Sequence, residues 1–317
     1  MAKTGGDQGA EIIHLSVRWN LLLQSLPRVA RALDELDRFD HGKLLTGELR
    51  SAEVLAVSQR NPSFMPVILI EKPNPKITIV TLNRPERRNA LTLELMNELI
   101  SAIAVASDQA GERVLILRGA GSAFCAGLDL KAATPQNAQA TAEMVAKVLV
   151  ALSQSRLITI AAVHGAAVAG GAGIMSACDY VVAAERTKIG YPEVRRGLVA
   201  GLVLTFLRRQ VRERDIRELL FAGEIIEAQR AREIGLVNRV VPASDVMNEA
   251  QKFADAVLQG APNAMVQTKR LIEELWSTSV KEDVELALKY HMQARESAEA
   301  REGIAAFNEK RPPKWAV

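Results

Sequence analysis

Two short stretches of this sequence put bare backbone where chemistry can use it. Residues 164–180, "HGAAVAGGAGIMSACDY", carry no full charge from His164 to Cys178 and hold Gly170, Gly171 and Gly173 within four residues. Glycine inside a helix costs about 0.5–1 kcal/mol relative to alanine, so three so close together point to close approach or to special dihedrals. The second stretch, "AFCAGLDLK" at 123–131, places Ala126 and Gly127 where a ligand can reach the main chain near Leu128. In the first, a strand ending at Val163 runs into a helix beginning near Gly170. The first N–H groups of a helix have no internal partner and lie at the positive end of its dipole. Two such donors converging on one carbonyl oxygen form an oxyanion hole, a large term in acyl-group chemistry. The same residues also fit a plainer account, a pair of tight turns in which glycine lets helix pack on sheet. No dinucleotide fingerprint, nucleophile elbow or phosphate loop occurs.

The elements that must position these loops alternate from Met65 onward. "ITIVTL" (77–82) reads as a buried strand ended by the turn "NRPERRNA". A helix follows, capped by Thr92, with Leu93, Met96, Ile100 and Ile103 as its apolar face and Leu91 and Met96 spaced as a staple. "RVLILRG", a helix over about 138–152, "LITIAAV" and "YVVAAE" continue the alternation, which argues for an α/β domain with its sheet covered by helices. The C-terminal region is helical again, opened by Ser279 and Glu282 at capping-box spacing. Residues 1–64 differ in texture: after Pro27, the positions Val29, Leu33, Leu36 and Phe39 recur at helical spacing. Asp34, Glu35, Asp37 and Asp40 are too many acids for an Arg-rich presequence. The segment is expected to be either an appended helical module or an upstream extension of a chain that starts near Met65.

Composition narrows the function classes. Net charge is +3, with Lys and Arg interleaved with Asp and Glu, so neither nucleic acid nor anionic lipid is the expected partner. The run "RRQVRERDIRE" from Arg208 reads as a solvated helix face, its Glu213, Asp215 and Glu218 at pairing distance from the arginines. No stretch reaches the ~20 apolar residues of a membrane span. Cys125 and Cys178 read as core thiols in a reducing, cytoplasmic setting, and His14, His41, His164 and His291 lack ligand spacing, so no metal site is expected. His164 and Tyr191 read as structural.

"NRPERRNAL", "AFCAGLDLK", "VHGAAVAGGAGIMSACDYVVAAE", "GYPEVRRGLVAG" and "AREIGLVNRVVP" stand in the order and spacing of the crotonase superfamily, the enoyl-CoA hydratases and isomerases. The resemblance covers about 66–317. It implies an α/β spiral of stacked ββα turns over 65–260 and a helical trimerisation layer over 261–317, in homotrimers or dimers of trimers. It also implies acyl-CoA thioester substrates, with coenzyme A part of the substrate and no metal or redox cofactor. Matched residue by residue, the oxyanion donors fall on Leu128 and Gly170, with Gly171 and Gly173 beside the substrate chain. The adenine end of CoA falls along Ala126, Leu128, Asp129 and Leu130, aided by the "RPERR" turn. Phe307 and Lys310 match residues that reach the CoA of an adjacent subunit.

The acids depart from the two-glutamate pattern of the family. One matches Glu193, whereas the other falls on Gly173. One carboxylate suffices for syn hydration, so a hydratase is expected, of the 3-methylglutaconyl-CoA type that resembles this pattern. A Δ3,Δ2-enoyl-CoA isomerase with one base is the alternative, and a non-catalytic acyl-CoA-binding homologue, with Glu193 capping or paired to an Arg, is a third. Arg196 stands where relatives commonly carry an apolar residue. It is either turned outward onto a surface acid or paired with a distal carboxylate on the acyl chain, with Arg195 as a second candidate.

Overall fold

The computed structural model describes residues 66–132 and 134–315; the helical extension expected over 1–64 lies outside them. The main sheet has six strands in the order β1-β2-β3-β4-β6-β9. These are β1 (Ile68–Asn74), β2 (Ile77–Leu82), β3 (Val114–Gly119), β4 (Ile158–Val163), β6 (Tyr180–Ala184) and β9 (Arg239–Val241). β1 is an antiparallel edge, and the other five strands run parallel. A parallel strand buried on both faces reads as a continuous apolar run, which is why "ITIVTL" is buried at every position.

Alternate residues along each strand serve two different cores. Val80, Leu82, Leu115, Leu117, Ala161 and Val163 face one side, against helices α1 (Leu93–Asp108) and α2 (Ala138–Ser153). Ile77, Ile79, Val114, Ile116, Ile160 and Val182 face the other, against Val246, Ala250 and Ala254 of α7 (Val246–Leu258). Thr92 caps α1 by accepting from the Leu95 N–H at 3.2 Å. The buried face of α1 is centred on Leu95, Met96, Leu99, Ala102, Ile103 and Ala106. Leu93 and Ile100, expected on that face, are only half-buried at its margin.

A second, three-stranded sheet of β5 (Ala166–Val168), β7 (Lys188–Gly190) and β8 (Ile225–Glu227) carries the functional loops. Helix α3 (Gly170–Ser176) leaves the end of β5, and a 3-10 turn, Pro192–Arg196, leaves the end of β7. Four further helices follow in the order α4 (Gly201–Gln210), α5 (Glu213–Ala222), α6 (Ala228–Glu233) and α7. The C-terminal layer is α8 (Pro262–Glu274), α9 (Val280–Arg295) and α10 (Ala298–Glu309). α9 opens with the expected capping box of Ser279 and Glu282, and Ser297 caps α10 by accepting from the Ala300 N–H alone.

The basic run from Arg208 is not a single solvated face. The chain breaks at Val211 between α4 and α5, which turns Arg209 and Asp215 inward. Arg209 bridges Glu273 at 2.6 Å and Asp283 at 3.0 Å, tying α4 to α8 and α9. Asp215 is buried and accepts from Arg212 and Arg230. Cys125 and Cys178 are buried, and burial pushes both thiols up to about 12. Among the described residues no helix is long and apolar enough to cross a membrane.

Candidate active site

The loop after β3 owes its shape to Asn89 in the "NRPERRNA" turn. Asn89 takes a left-handed conformation, φ 55°, which asparagine tolerates better than most residues. Its amide donates to the Ala123 carbonyl at 2.8 Å, and its Oδ1 accepts from the Arg84 N–H at 2.8 Å. The loop then runs alongside β5: the Cys125 N–H donates to Ala166 O at 3.0 Å, and the Val168 N–H donates to Cys125 O at 3.1 Å. Gly127 (φ 89°) makes the turn, and a Cβ there would stand 2.7 Å from Val168 O. The chain next bridges to Leu91, whose N–H donates to Gly127 O at 2.8 Å and whose carbonyl accepts from Asp129 N–H at 2.9 Å. With its neighbours turned toward Leu91, the Leu128 N–H faces the opposite way.

Gly170 lies on that opposite side. The Cβ position of Gly170 is 4.0 Å from the Leu128 nitrogen. Gly170 begins α3, so its N–H has no intrahelical acceptor. Ala169, just before it, holds φ 51° and ψ −125°, a conformation that L residues rarely adopt. Its own N–H donates to Gly190 O at 2.8 Å, and its carbonyl accepts from Gly173 N–H at 2.9 Å. These bonds hold the Ala169 peptide, and with it the Gly170 N–H, in place.

Both donors border a cavity of about 110 Å³ that Glu193 and Arg196 also line. Glu193 sits in the 3-10 turn, which Pro192 starts and Gly197 (φ 67°) ends. Its side chain is buried and its Oε2 has no hydrogen-bond partner. Burial raises the carboxyl to about 7, against smaller opposing effects of a backbone N–H and of Arg196. Tyr191 anchors this turn to α3. It is fully buried, and its hydroxyl meets Ser176 Oγ at 2.9 Å, a bond that packing alone would not have suggested.

Gly173 has no room for an acid. A Cβ there would stand 2.6 Å from Val203 Cγ1, and the residue faces the α3–α4 contact rather than the cavity. Gly171 likewise packs backbone to backbone, a Cβ there running into the Cys125 carbonyl. Ala126 and Leu130 line the cavity. Asp129 does not, and instead pairs with Arg84 at 3.3 Å. Phe307 lines the cavity of its own chain, with the Arg196 guanidinium 4.3 Å above its ring. Lys310 ends α10 in a left-handed conformation and is exposed.

Arg196 is not turned out onto a surface acid. Among the described residues it makes no ion pair with a carboxylate. Its Nη1 donates weakly to Pro192 O at 3.4 Å, and its buried Nε has no partner. Arg195, by contrast, is exposed and donates to Ala222 O at 3.0 Å. Two further cavity residues, His291 and Arg295, come from α9. Their spacing of four residues on an amphipathic helix was the only signal for them in the sequence. His164 Nε2 meets Gly121 O at 2.9 Å and holds a turn. Among the described residues no group of three His, Cys, Asp or Glu is placed to hold a metal ion.

The sequence and the fold that carry this site have counterparts among known proteins. The sequence profile of the enoyl-CoA hydratase/isomerase family matches residues 72–317. A putative enoyl-CoA hydratase of Thermus thermophilus is 38% identical over 248 residues, covering 75% of this chain and 97% of that protein. A mevalonyl-coenzyme A hydratase of Aspergillus fumigatus is 34% identical over 254 residues, covering 78% of this chain and 94% of that protein. The solved structure of a putative enoyl-CoA hydratase from Mycobacterium avium paratuberculosis superposes with a TM-score of 0.72 at 32% identity, covering 79% of this chain and 99% of that one. The chain belongs to the enoyl-CoA hydratase/isomerase family, the crotonase superfamily, and its fold is the crotonase fold.

Proposed function

We propose that the protein hydrates 2-enoyl-CoA thioesters with Glu193 as its single acid-base group. The observation that carries this reading is the buried Glu193 carboxyl, its Oε2 without a partner, on the same cavity as Leu128 and Gly170. The thioester oxygen accepts from both N–H groups, which stabilise the enolate that forms. Glu193, ionised, takes a proton from water as the oxygen of that water bonds to C3. The protonated Glu193 then returns its proton to C2 on the same face, and the carboxylate is regenerated. A group that titrates near 7 suits both halves of this cycle at neutral pH. Small residues, Ala126 and Gly170 among them, leave space for the acyl-CoA chain to lie against the backbone.

The absence of an acid at Gly173 favours a second reading, in which Glu193 carries a proton between C4 and C2 as an isomerase. A merely binding role has less support, since among the described residues Glu193 forms no ion pair and its Oε2 has no hydrogen-bond partner. Steady-state assays of the purified protein on a panel of enoyl-CoA esters, read for hydration and for double-bond migration, separate the two reactions. Hydration of at least one 2-enoyl ester is expected; migration without hydration makes the protein an isomerase. Arg196 on the cavity wall supports a 3-methylglutaconyl type of acyl group. Exposed Leu271, Ile272, Leu275 and Leu286 on α8 and α9 support a homotrimer built through this layer.

A further inference from the structure

The water that adds across an enoyl double bond has two protons to place, and Glu193 can receive one of them. The other O–H needs an acceptor of its own, because a polar group left unpaired away from bulk water is costly. A second acid is ruled out beside Gly173, where Val203 fills the space. Apart from Glu193, the described side chains on the cavity wall are those of alanine, leucine, valine, phenylalanine and arginine, with His291 the one exception. Arginine has donors only. Among these side chains, an acceptor other than the Glu193 carboxylate can therefore come only from the imidazole that α9 brings to the wall.

His291 has one ring nitrogen committed and one available. Nδ1 lies 3.2 Å from the Val199 carbonyl oxygen, and a carbonyl only accepts, so Nδ1 carries the proton. Val199 follows the 3-10 turn that carries Glu193 and lines the same cavity. The bond thus holds the ring at that wall. Burial, and after it the charge of Arg295, disfavour the imidazolium, while the Val199 bond works the other way. The net effect lowers the ring below its ordinary value, which leaves it neutral at pH 7. In a neutral imidazole protonated at Nδ1, Nε2 is an acceptor, and among the described residues it has no hydrogen-bond partner. Resting on the hydratase reading above, we propose that His291 Nε2 binds the attacking water by accepting the O–H that Glu193 does not take. As the water oxygen bonds to C3, one proton passes to Glu193 and then to C2. The other stays on oxygen as the proton of the new 3-hydroxyl, donated to Nε2 throughout. His291 neither gains nor loses a proton.

Two substitutions separate this role from the tie to Val199. His291→Asn keeps a donor at the position of Nδ1 and loses Nε2, whereas His291→Gln reaches as far as Nε2 with an amide oxygen that accepts. Calorimetric binding of butyryl-CoA and of each 3-hydroxybutyryl-CoA enantiomer, in full-length protein carrying Glu193→Gln so that nothing turns over, reads the hydroxyl contact. With His291 present, one enantiomer should bind about threefold to tenfold more tightly than butyryl-CoA, the usual range for one hydrogen bond. His291→Asn should bring that ratio near one, and His291→Gln should keep part of it. Taking the ratio within each variant cancels a general loss of CoA affinity; if His291→Asn does not fold, His291→Phe, which keeps the ring shape, replaces it. With Glu193 intact, hydration kcat on the enoyl ester that wild type hydrates best should fall roughly tenfold or more in His291→Asn and less in His291→Gln. No enantiomer preference with His291 present overturns the proposal. So does the reverse order, His291→Asn tolerated and His291→Gln impaired, which is what a purely structural bond to Val199 predicts. A wild type that hydrates no enoyl ester, with the hydroxyl preference still lost in His291→Asn, defeats the hydratase reading and leaves the Nε2 contact standing. Undiminished hydration in His291→Asn does the opposite.

Discussion

Replacing Glu193 by Gln should make the protein more stable and almost inactive at once, and the size of the first effect follows from burial. Glu193 titrates near 7 instead of the usual 4.5 because its surroundings disfavour the ionised form. At ~1.36 kcal/mol per pH unit, holding it ionised costs on the order of 3 kcal/mol. The folded protein binds this proton more tightly than the unfolded chain does. The resulting stability is full below about pH 4.5 and is lost as pH rises through about 7. Gln has the same shape and no proton to lose. Glu193→Gln should therefore match wild type near pH 4.5 and exceed it by on the order of 3 kcal/mol above about pH 8. At ~2–4 °C per kcal/mol for a protein of this size, the melting temperatures should separate by about 6–12 °C. Thermal melts of both proteins across about pH 5–9 read the gap directly. A gap that stays flat with pH would refute the burial argument. Hydration by the same variant should fall by ~10²–10⁴-fold, the usual share of general acid-base catalysis.

Three other substitutions test the geometry. Gly170→Pro removes one proposed oxyanion donor at a first helical position, where proline is tolerated; kcat should fall by roughly 10²–10³-fold, and normal turnover in a folded variant would misplace the hole. Gly173→Glu should not create a two-glutamate site: with Val203 Cγ1 2.6 Å from the new Cβ, overpacking of ~1–3 kcal/mol lowers the melting temperature by about 2–12 °C, and Val203→Ala in the same chain should recover part of the loss. Ala169→Gly relieves the strained φ 51°, ψ −125° backbone, worth ~1–3 kcal/mol before the entropic cost of glycine; a melting temperature about 2–4 °C higher is expected, and a lower one would show that the conformation is not strained.

The strands and the two small-residue loops were legible in the sequence because their signals are local. A parallel strand buried on both faces has to be apolar throughout, and "ITIVTL" and "RVLILRG" obey that rule. A helix that starts in glycines announces its bare N–H groups. What was not legible depends on which distant residue comes to fill a space. Val203 occupies the place beside Gly173 from a helix that begins twenty-eight residues further on. Arg295 and His291 reach the cavity only because α9 packs across α4. Arg209 and Asp215 looked like surface charges until the chain break at Val211 turned them inward. Phe307 comes to lie under Arg196 of its own chain because α10 packs on the 3-10 turn, which no local pattern announces.

The missing second acid and the presence of Arg196 bear on the same quantity, the proton affinity of Glu193. In a site with two neighbouring carboxylates, each raises the pKa of the other by repulsion. Here Val203 fills the space of the second acid, so that contribution is gone, and Arg196 pulls the opposite way. Burial alone has to lift the carboxyl into the neutral range, and it does so because the 3-10 turn sinks Glu193 beneath the chain while Gly197 and Tyr191 hold the turn in place. A carboxylate brought in on the acyl chain would neutralise part of the arginine field and lift Glu193 further. Proton abstraction from water would then be favoured only once an acyl group of the right charge fills the cavity, because a higher pKa makes Glu193 a stronger base. The test is the pH dependence of kcat, which reports the acid-base group in the substrate complex. Its lower limb should lie at higher pH for a dicarboxylic enoyl-CoA than for crotonyl-CoA, and coincident profiles would show that Arg196 and the acyl carboxylate do not act on Glu193.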